Sequence, residues 1–540
     1  MVDFLYKKSG SVFNQHSYWT KQPVDVIEYF IKKFTKEGDI VLDPFAGSGM
    51  TGLASILNNR KSILIDNSPA AVHIAKGYTS KFNFEKKDIR EFLEKIYNSL
   101  GYLYQFNIDG VTEAQEILFD VIGEVYETKD GRKYTDSYIY FQSIKNNKTF
   151  SKHTEKDLKF LNHETIVRFY KNSKTNKKDF IKYDHKFDFE LNKVLKKSIE
   201  NHDLSFLNRS FFGKEPKRNI KKGIVRVSDI YSKKNLLVLL EIKKEIDKLK
   251  DSDLKNFLMF CFTSIVFNTS LMSRYRKYEN TSIKMGTYYI PPLIKDNNVI
   301  SSFSSKVLKT YDAKVKLFEN VKKINCNIHL GDATNLSNIK SNSVDFIYTD
   351  PPYGGMINYS ELNFLIESWL DIEHDYKNEM IIDLESNKSS EYYFELFEKF
   401  LKEASRVLKN NKSMVLVFHN TNLDVWKDLQ NVILKSNFLL KTQKEPFRLI
   451  SKNKTSSQHN TDKKMKSFLA FELVNTARTN SKKLPKLTLT KLDRLILESK
   501  KLGMLSKSEK YDFFINATLS NYDLNLEDEV NDRLNEFFLN

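Results

Sequence analysis

An α/β fold with a mostly parallel sheet, split by a long insertion and followed by a helical C-terminal tail, is what this sequence predicts. Three observations lead there. Short apolar runs alternate with stretches of helical periodicity over residues 1–100. The same alternation returns over residues 324–475. Between them, residues 101–323 are aromatic, basic and weakly periodic. Strands alternating with helices form a parallel sheet covered by those helices.

Each element has a local signature. "PVDVIEYFIKKF" places Val24, Ile27, Phe30, Ile31 and Phe34 at helical spacing. "DIVLDPF" is a short buried strand, and "GMTGLASILNN" a helix that starts at glycines. "KSILIDN" is a second strand, and "SPAAVHIAKGY" a second helix, opened by Ser68 as N-cap and Pro69 in the first turn. In the insertion, "YETKDGRKYTDSYIYFQSI" suggests a hairpin around Asp130-Gly131. "KNSKTNKKDFIKYDHKF" suggests a loop or hairpin, and "GTYYIPPLI" an extended segment limited by proline. "KKNLLVLLEIKKEIDKLK" and "DLKNFLMFCFTSIVFNTSLMSRY" suggest a helical pair. Beyond it, "NIHLGDA", "SVDFIYTDPPY", "KSMVLVFHN" and "KSFLAFELV" are strands, with helices at "YFELFEKFLKEASRVLKN" and "DVWKDLQNVILKSNF". The tail, residues 476–540, begins polar and basic and then carries two expected helices.

Composition narrows the function classes. Of the 540 residues, 40% are hydrophobic, enough for a sizeable core. No run reaches the roughly 18 apolar residues of a membrane span. The N-terminus lacks an apolar signal core, and two cysteines supply neither a disulfide framework nor a four-thiolate zinc site. A reducing cytoplasm is the expected location, with no membrane partner. His153, His163, His185 and His202 lack metal-ligand spacing, so no metal is expected. Glu241-Ile242-Lys243 spells a nuclease-like E-x-K, but within a run that suits a solvated helix face. Lys and Arg outnumber Asp and Glu by 86 to 69, a net charge of +17. That surplus suits a polyanionic partner, although Lys is abundant throughout. "GKEPKRNIKKG" and "MSRYRKY" suit phosphate contacts and stacking, or a solvated basic face.

Two motifs carry chemistry. "VLDPFAGSGMTG" holds Gly47, Gly49 and Gly52 between a strand and a helix, and Asp66 closes the next strand. Such glycines let a backbone approach a ligand, and an acidic residue on the second strand can hold ribose hydroxyls. A dinucleotide and a methionine-bearing cofactor both fit. Asp43-Pro44-Phe45 before the glycines favours the second, because a carboxylate repels a pyrophosphate and attracts an ammonium or sulfonium. "YTDPPYG" ends another strand. To methylate the amino group of a flat nucleobase, a site must accept its N–H groups and hold the ring. Asp350 and the Pro351 carbonyl can accept them, the two prolines stiffen the loop, and an exposed Tyr353 can stack on the ring. Gly354 and Gly355 would leave room for the nucleotide, with Tyr359, Phe364 and Trp369 lining the pocket or serving as ordinary core.

"DPPY" behind a strand, with "DPFAGSG" elsewhere, resembles the S-adenosylmethionine-dependent DNA amino-methyltransferases of the N6-adenine and N4-cytosine class. "HSYWTKQPVDVIEYFIKKFTKEGDIVLDPFAGSG", "GDATNLSNIKSNSVDFIYTDPPY" and "ASRVLKNNKSMVLVFHN" extend the resemblance. It implies a Rossmann-like methyltransferase domain in two parts, residues 1–100 and 324–475, with target recognition in the insertion. It implies S-adenosylmethionine as cofactor and Asp350, Pro351, Pro352 and Tyr353 as target-base residues. Asp43, Phe45, Gly47, Gly49, Asp66 and Asp332 would be cofactor residues, with Thr20 and Lys21 at the cofactor's amino-acid end. The implied substrate is double-stranded DNA, methylated at adenine N6 or alternatively cytosine N4. The implied setting is restriction-modification or phage defence, with a separate restriction endonuclease or defence subunit as possible partner. RNA or a protein amide is the remaining substrate alternative.

Overall fold

The structure is a computed structural model. It describes residues 2–6, 13–108, 111–127, 133–135, 159–250, 252–276, 283–284, 286–321, 323–441, 447–451, 466–476, 483–503 and 507–539. A nine-stranded sheet organises it. The strands are β1 (Val2–Tyr6), β2 (Ile40–Asp43), β3 (Lys61–Asp66), β10 (Cys326–Leu330), β11 (Phe346–Thr349), β12 (Ser413–Phe418), β13 (Phe438–Leu440), β14 (Phe447–Ser451) and β15 (Lys466–Asn475). Across the sheet they run β1-β14-β15-β12-β11-β2-β3-β10, with β13 also on β15. Strands β10, β3, β2, β11 and β12 are mutually parallel. Strand β15 runs antiparallel to β12, β13 and β14.

The chain builds outward from β2 through β3 to β10, then returns to the other side of β2 to form β11 and β12. Strand order therefore reverses between β2 and β11, where Val41 pairs with Phe346 and Leu42 with Ile347. In open α/β sheets this reversal opens a crevice at the strands' carboxyl ends.

Strand alternation sorts the core onto two faces. Val41, Phe346, Tyr348, Val415 and Val417 face one cluster, which also takes in Ile27, Phe30, Ile74 and Tyr78 of the helices Val24–Phe34 and Pro69–Thr79. Leu42, Ile347, Leu416 and Phe418 face the other, built with the helices Ser390–Val407 and Leu423–Lys435. Ser68 caps the helix Pro69–Thr79 as its sequence predicts, accepting from Ala71 N.

Residues 101–323 contribute a second sheet. Its strands are β4 (Gln105–Phe106), β5 (Gln115–Glu127), β6 (Lys133–Thr135), β7 (Lys159–Lys171), β8 (Lys178–Lys182) and β9 (Leu293–Asn297). Strands β5 and β6 pair antiparallel, while the expected turn at Asp130-Gly131 lies outside the described residues, as do His153 and the end of "MSRYRKY". The expected helical pair is present as Lys233–Asp247 and Asp253–Thr263. These helices share the first face's core rather than a core of their own: Leu236, Leu258 and Phe260 belong to the same cluster as Ile74. A Cβ at Gly77 would lie 2.0 Å from the Phe260 ring, so that glycine lets the two segments meet. Three tail helices are present rather than two: Leu489–Lys501, Lys507–Thr518 and Asp528–Leu539. They dock on the second face, where Gln430 donates to the Leu519 and Tyr522 carbonyls at 2.7 and 2.8 Å.

Glu241 accepts from or pairs with His202 Nε2 at 2.9 Å, and Lys243 pairs with Asp247, so the E-x-K is a helix-surface arrangement. In "GKEPKRNIKKG", Lys217, Arg218 and Lys222 pair with Glu385, Glu215 and Glu124. Arg168 on β7 is fully buried. It bonds Asp120 on β5 at 2.8 Å and Asp188 at 2.6 Å, and Lys234 reaches Asp120 at 2.9 Å. Burial pushes the Asp120 carboxyl up, but Lys234 and Arg168 more than offset this and hold it below its usual value. Breaking a buried pair leaves an uncompensated charge, so Arg168→Ala should destabilise the protein by about 3–5 kcal/mol in urea denaturation.

Candidate active site

Two loops meet at the strand-order reversal. The first leaves β2 at Asp43 and reaches the helix Met50–Leu57 through Gly47 and Gly49, at φ +49° and +79°. Both conformations favour glycine. A Cβ on Gly47 would lie 2.9 Å from the Tyr18 ring, and one on Gly49 2.7 Å from the Ala75 Cβ. Asp66 clips the loop to β3: its Oδ2 accepts from Gly47 N at 2.8 Å and its Oδ1 from Ser68 N at 2.9 Å. Asp43 is buried, accepting from the Thr51 hydroxyl at 2.6 Å and from Phe45 N at 3.1 Å. Phe45 packs edge-on against Phe400 at 5.0 Å.

The second loop leaves β11 as Asp350-Pro351-Pro352-Tyr353. Asp350 Oδ1 accepts from the Tyr353 hydroxyl, and Oδ2 accepts from Gln22 Nε2 at 2.7 Å. Tyr353 is only 8% exposed, and its ring meets Phe418 edge-on at 5.4 Å. Its carbonyl accepts from Asn420 at 3.1 Å, and the Pro352 carbonyl accepts from the Tyr393 hydroxyl at 2.6 Å. The loop is thus fixed by side chains from β12's end and from the helix behind it.

One cavity joins the two loops. Asp43, Phe45, Gly47, Asp66, Asp332 and Thr20 line it toward β2, β3 and β10; Asp350, Pro352, Tyr359, Tyr376 and Glu379 line it toward β11. Its charge is one-sided: Asp43, Asp66, Asp332, Asp350 and Glu379 line it, and no Lys or Arg does among the described residues. Burial pushes Asp43 and Asp350 up to about 7 and Asp66 to about 6, against the hydrogen bonds that each accepts. Burial also raises Glu379, which pairs with Lys388 at 3.7 Å. A buried acidic lining suits a cationic ligand and opposes a pyrophosphate.

Several residues lie elsewhere than expected. Lys21 does not line the cavity: its ammonium donates to the Phe13 and His16 carbonyls at 2.6 Å each and to the Tyr78 hydroxyl at 2.8 Å. An ammonium with three acceptors behind the wall holds the 13–21 segment in place. Gly49 lies behind the cavity against Ala75. Tyr353 is not an exposed platform, because the second core takes its ring. Gly355 leaves no spare room, since a Cβ there would lie 2.6 Å from the Ile382 carbonyl. Tyr359 lines the cavity, but Trp369 is buried with its indole N–H on the Tyr231 hydroxyl at 2.8 Å, and Phe364 packs on Phe211 and Phe212. Sequence reasoning missed Tyr18, Gln22, Tyr376, Asn378, Glu379 and Met380. Tyr18 and Gln22 flank the residues singled out in "SYWTKQP", whereas "YKNEM" carries no periodicity or motif.

A family model described as DNA methylase, of the N6/N4 type, matches residues 5–77 and 344–529, the segments that carry both loops. Over these segments the chain is similar to the N6-adenine/N4-cytosine class of DNA methylases. Among curated proteins, it is 25% identical over 276 residues to the Type II methyltransferase M.BsoBI of Geobacillus stearothermophilus, covering 47% of this chain and 45% of the relative. It is 28% identical over 190 residues to M.MjaII of Methanocaldococcus jannaschii, covering 34% and 32%. It is 40% identical over 77 residues to M2.LlaDCHI of Lactococcus lactis subsp. cremoris, covering 14% and 28%. The matches therefore span less than half the length of each of these relatives.

The placement of Lys21 is testable. Lys21→Ala removes a charged donor shared by three acceptors, which keep only the contacts among Tyr78, Phe13 and His16, and should cost about 1–3 kcal/mol of stability. In a calorimetric titration, affinity for a cavity ligand should fall by less than about tenfold, through the loosened segment and not through a lost contact.

Proposed function

We propose that this protein is a DNA methyltransferase that moves a methyl group from S-adenosylmethionine to the exocyclic amino group of a base, adenine N6 first and cytosine N4 as the alternative. The observation that carries this reading is the continuous acidic cavity, in a chain of net charge +17, running from the glycine loop to Asp350. S-adenosylmethionine bears an ammonium and a sulfonium, and bound there it supplies an electrophilic methyl group. Asp43, Asp66, Asp332, Thr20 and the Gly47 turn are the residues that would hold it in a Rossmann-like methyltransferase fold.

The target base must leave its stack to reach Asp350. Asp350 and the Pro351 carbonyl then accept the amine's two N–H groups and turn its lone pair toward the methyl group. Tyr353 presently donates to the carboxylate oxygen that the amine needs, so its hydroxyl must leave Oδ1 for the base to bind. For its ring to stack on the base, the side chain must also leave its packing on Phe418. As the new N–C bond forms, the amine becomes acidic and its proton passes to Asp350 or to water. Positioning and electrostatics account for the rate without a covalent enzyme intermediate. The insertion, with its basic clusters, would supply target recognition on double-stranded DNA. The relatives' Type II names support a restriction-modification setting, in which a separate endonuclease would be the partner.

Tritiated methyl groups offered with duplex DNA, RNA and protein test the reading; label appearing only in RNA would overturn it. Asp350→Ala should lower transfer by about 10²–10⁴-fold while cofactor affinity persists. The raised carboxyls add a second expectation. At pH 7 Asp43, Asp66 and Asp350 are partly protonated, and a bound cation lowers their pKa values, so binding should release protons. Calorimetry in buffers of different ionisation enthalpy should show more release with S-adenosylmethionine than with S-adenosylhomocysteine, whose sulfur is uncharged.

A further inference from the structure

We propose that Gln22 is a positioning residue for Asp350, fixing the carboxylate through Oδ2 and leaving Oδ1 as the oxygen offered to the target amine. The inference rests on the methyltransferase reading above. Asp350 has two donors of different kinds. The Tyr353 hydroxyl on Oδ1 comes from the same loop, and a swing of that side chain about χ1, away from Phe418, would remove it. The Gln22 amide on Oδ2, at 2.7 Å, comes from the segment that leads into the helix Val24–Phe34.

Gln22 cannot leave easily, because its segment is anchored along its length. Tyr18 lies against Gly47. The Trp19 indole N–H donates to Asn363 at 2.9 Å, and Thr20 meets the Tyr359 hydroxyl at 2.8 Å. Lys21 holds three acceptors behind the wall, and Pro23 after Gln22 is the N-cap of the helix Val24–Phe34. One short segment thus touches the glycine loop with Tyr18 and the reacting carboxylate with Gln22.

The charge balance gives this contact a second effect. Asp350 is faced by Tyr353 from its own loop, Asp43 from β2, Tyr359 from the helix Tyr359–Trp369, and Gln22. None of these is a cation, and Asp43 repels a second negative charge. Gln22 is a neutral donor from outside the loop that favours the ionised, accepting form, and it persists once Tyr353 turns away. A protonated Asp350 would present a donor where the amine needs an acceptor.

The experiment compares wild type, Gln22→Ala and the isosteric Gln22→Glu on a DNA substrate that wild type labels. It measures kcat from pH 5.5 to 9.5, and S-adenosylmethionine affinity by calorimetry. The acid limb should move up by about one pH unit in Gln22→Ala, making the rate at pH 6 about tenfold lower while the rate at pH 9 stays within about twofold. Gln22→Glu, which adds a carboxylate, should move it further. Cofactor affinity should hold in Gln22→Ala. A fall equal at every pH, no change, or lost cofactor binding in Gln22→Ala would overturn the inference. If wild type labels no DNA, the methyltransferase reading fails and this inference fails with it.

Discussion

The pairing of β2 with β11 is the constraint on which the rest of the site depends. The strands are far apart in the chain, yet Leu42 lies opposite Ile347. That register brings Asp43 and Asp350 to the same edge of the sheet. The neighbouring parallel strands extend the pattern: β3 ends at Asp66, and Asp332 lies just past the end of β10. Four adjacent strands thus deliver four aspartates to one rim, and all four line one cavity. A parallel sheet makes this possible because every strand points its carboxyl end the same way.

That rim explains the electrostatics. Buried carboxylates are costly unless a donor or a cation compensates them. Backbone N–H groups and hydroxyls compensate them only in part, which is why burial still pushes Asp43, Asp66 and Asp350 up to about 7, 6 and 7. A positively charged ligand would complete the compensation. Among the described residues no Lys or Arg lines this cavity, so its acidic lining is not neutralised from within.

Much of the central fold was legible from short-range pattern. Strand and helix alternate at residues 24–79 and 326–435 with the expected types, and Ser68 caps the helix it was expected to cap. Residues 101–323 were less legible. Strands β5 and β7 form a long antiparallel pair with several register shifts, so side-chain alternation breaks repeatedly and periodicity weakens. The polar content there is partly internal, since Arg168, Asp120 and Lys234 are buried together. Composition treats such residues as surface; only pairing across strands and helices makes them core.

At the site, the sequence by itself determined the chemistry of the two loops. Gly47, Gly49 and Gly52 mark a close backbone approach, Pro351 and Pro352 stiffen the chain after Asp350, and neither motif needs a distant residue to be recognised. Tertiary structure decided what surrounds them. It turned Lys21 behind the wall because three acceptors lie there. It took the Tyr353 ring into the core beside Phe418 and placed the tyrosine's hydroxyl on Asp350. It also brought Gln22 across to Asp350 and Glu379 into the cavity. The physical reason is one of range: local pattern records what a residue can do, and long-range packing determines which partner it meets.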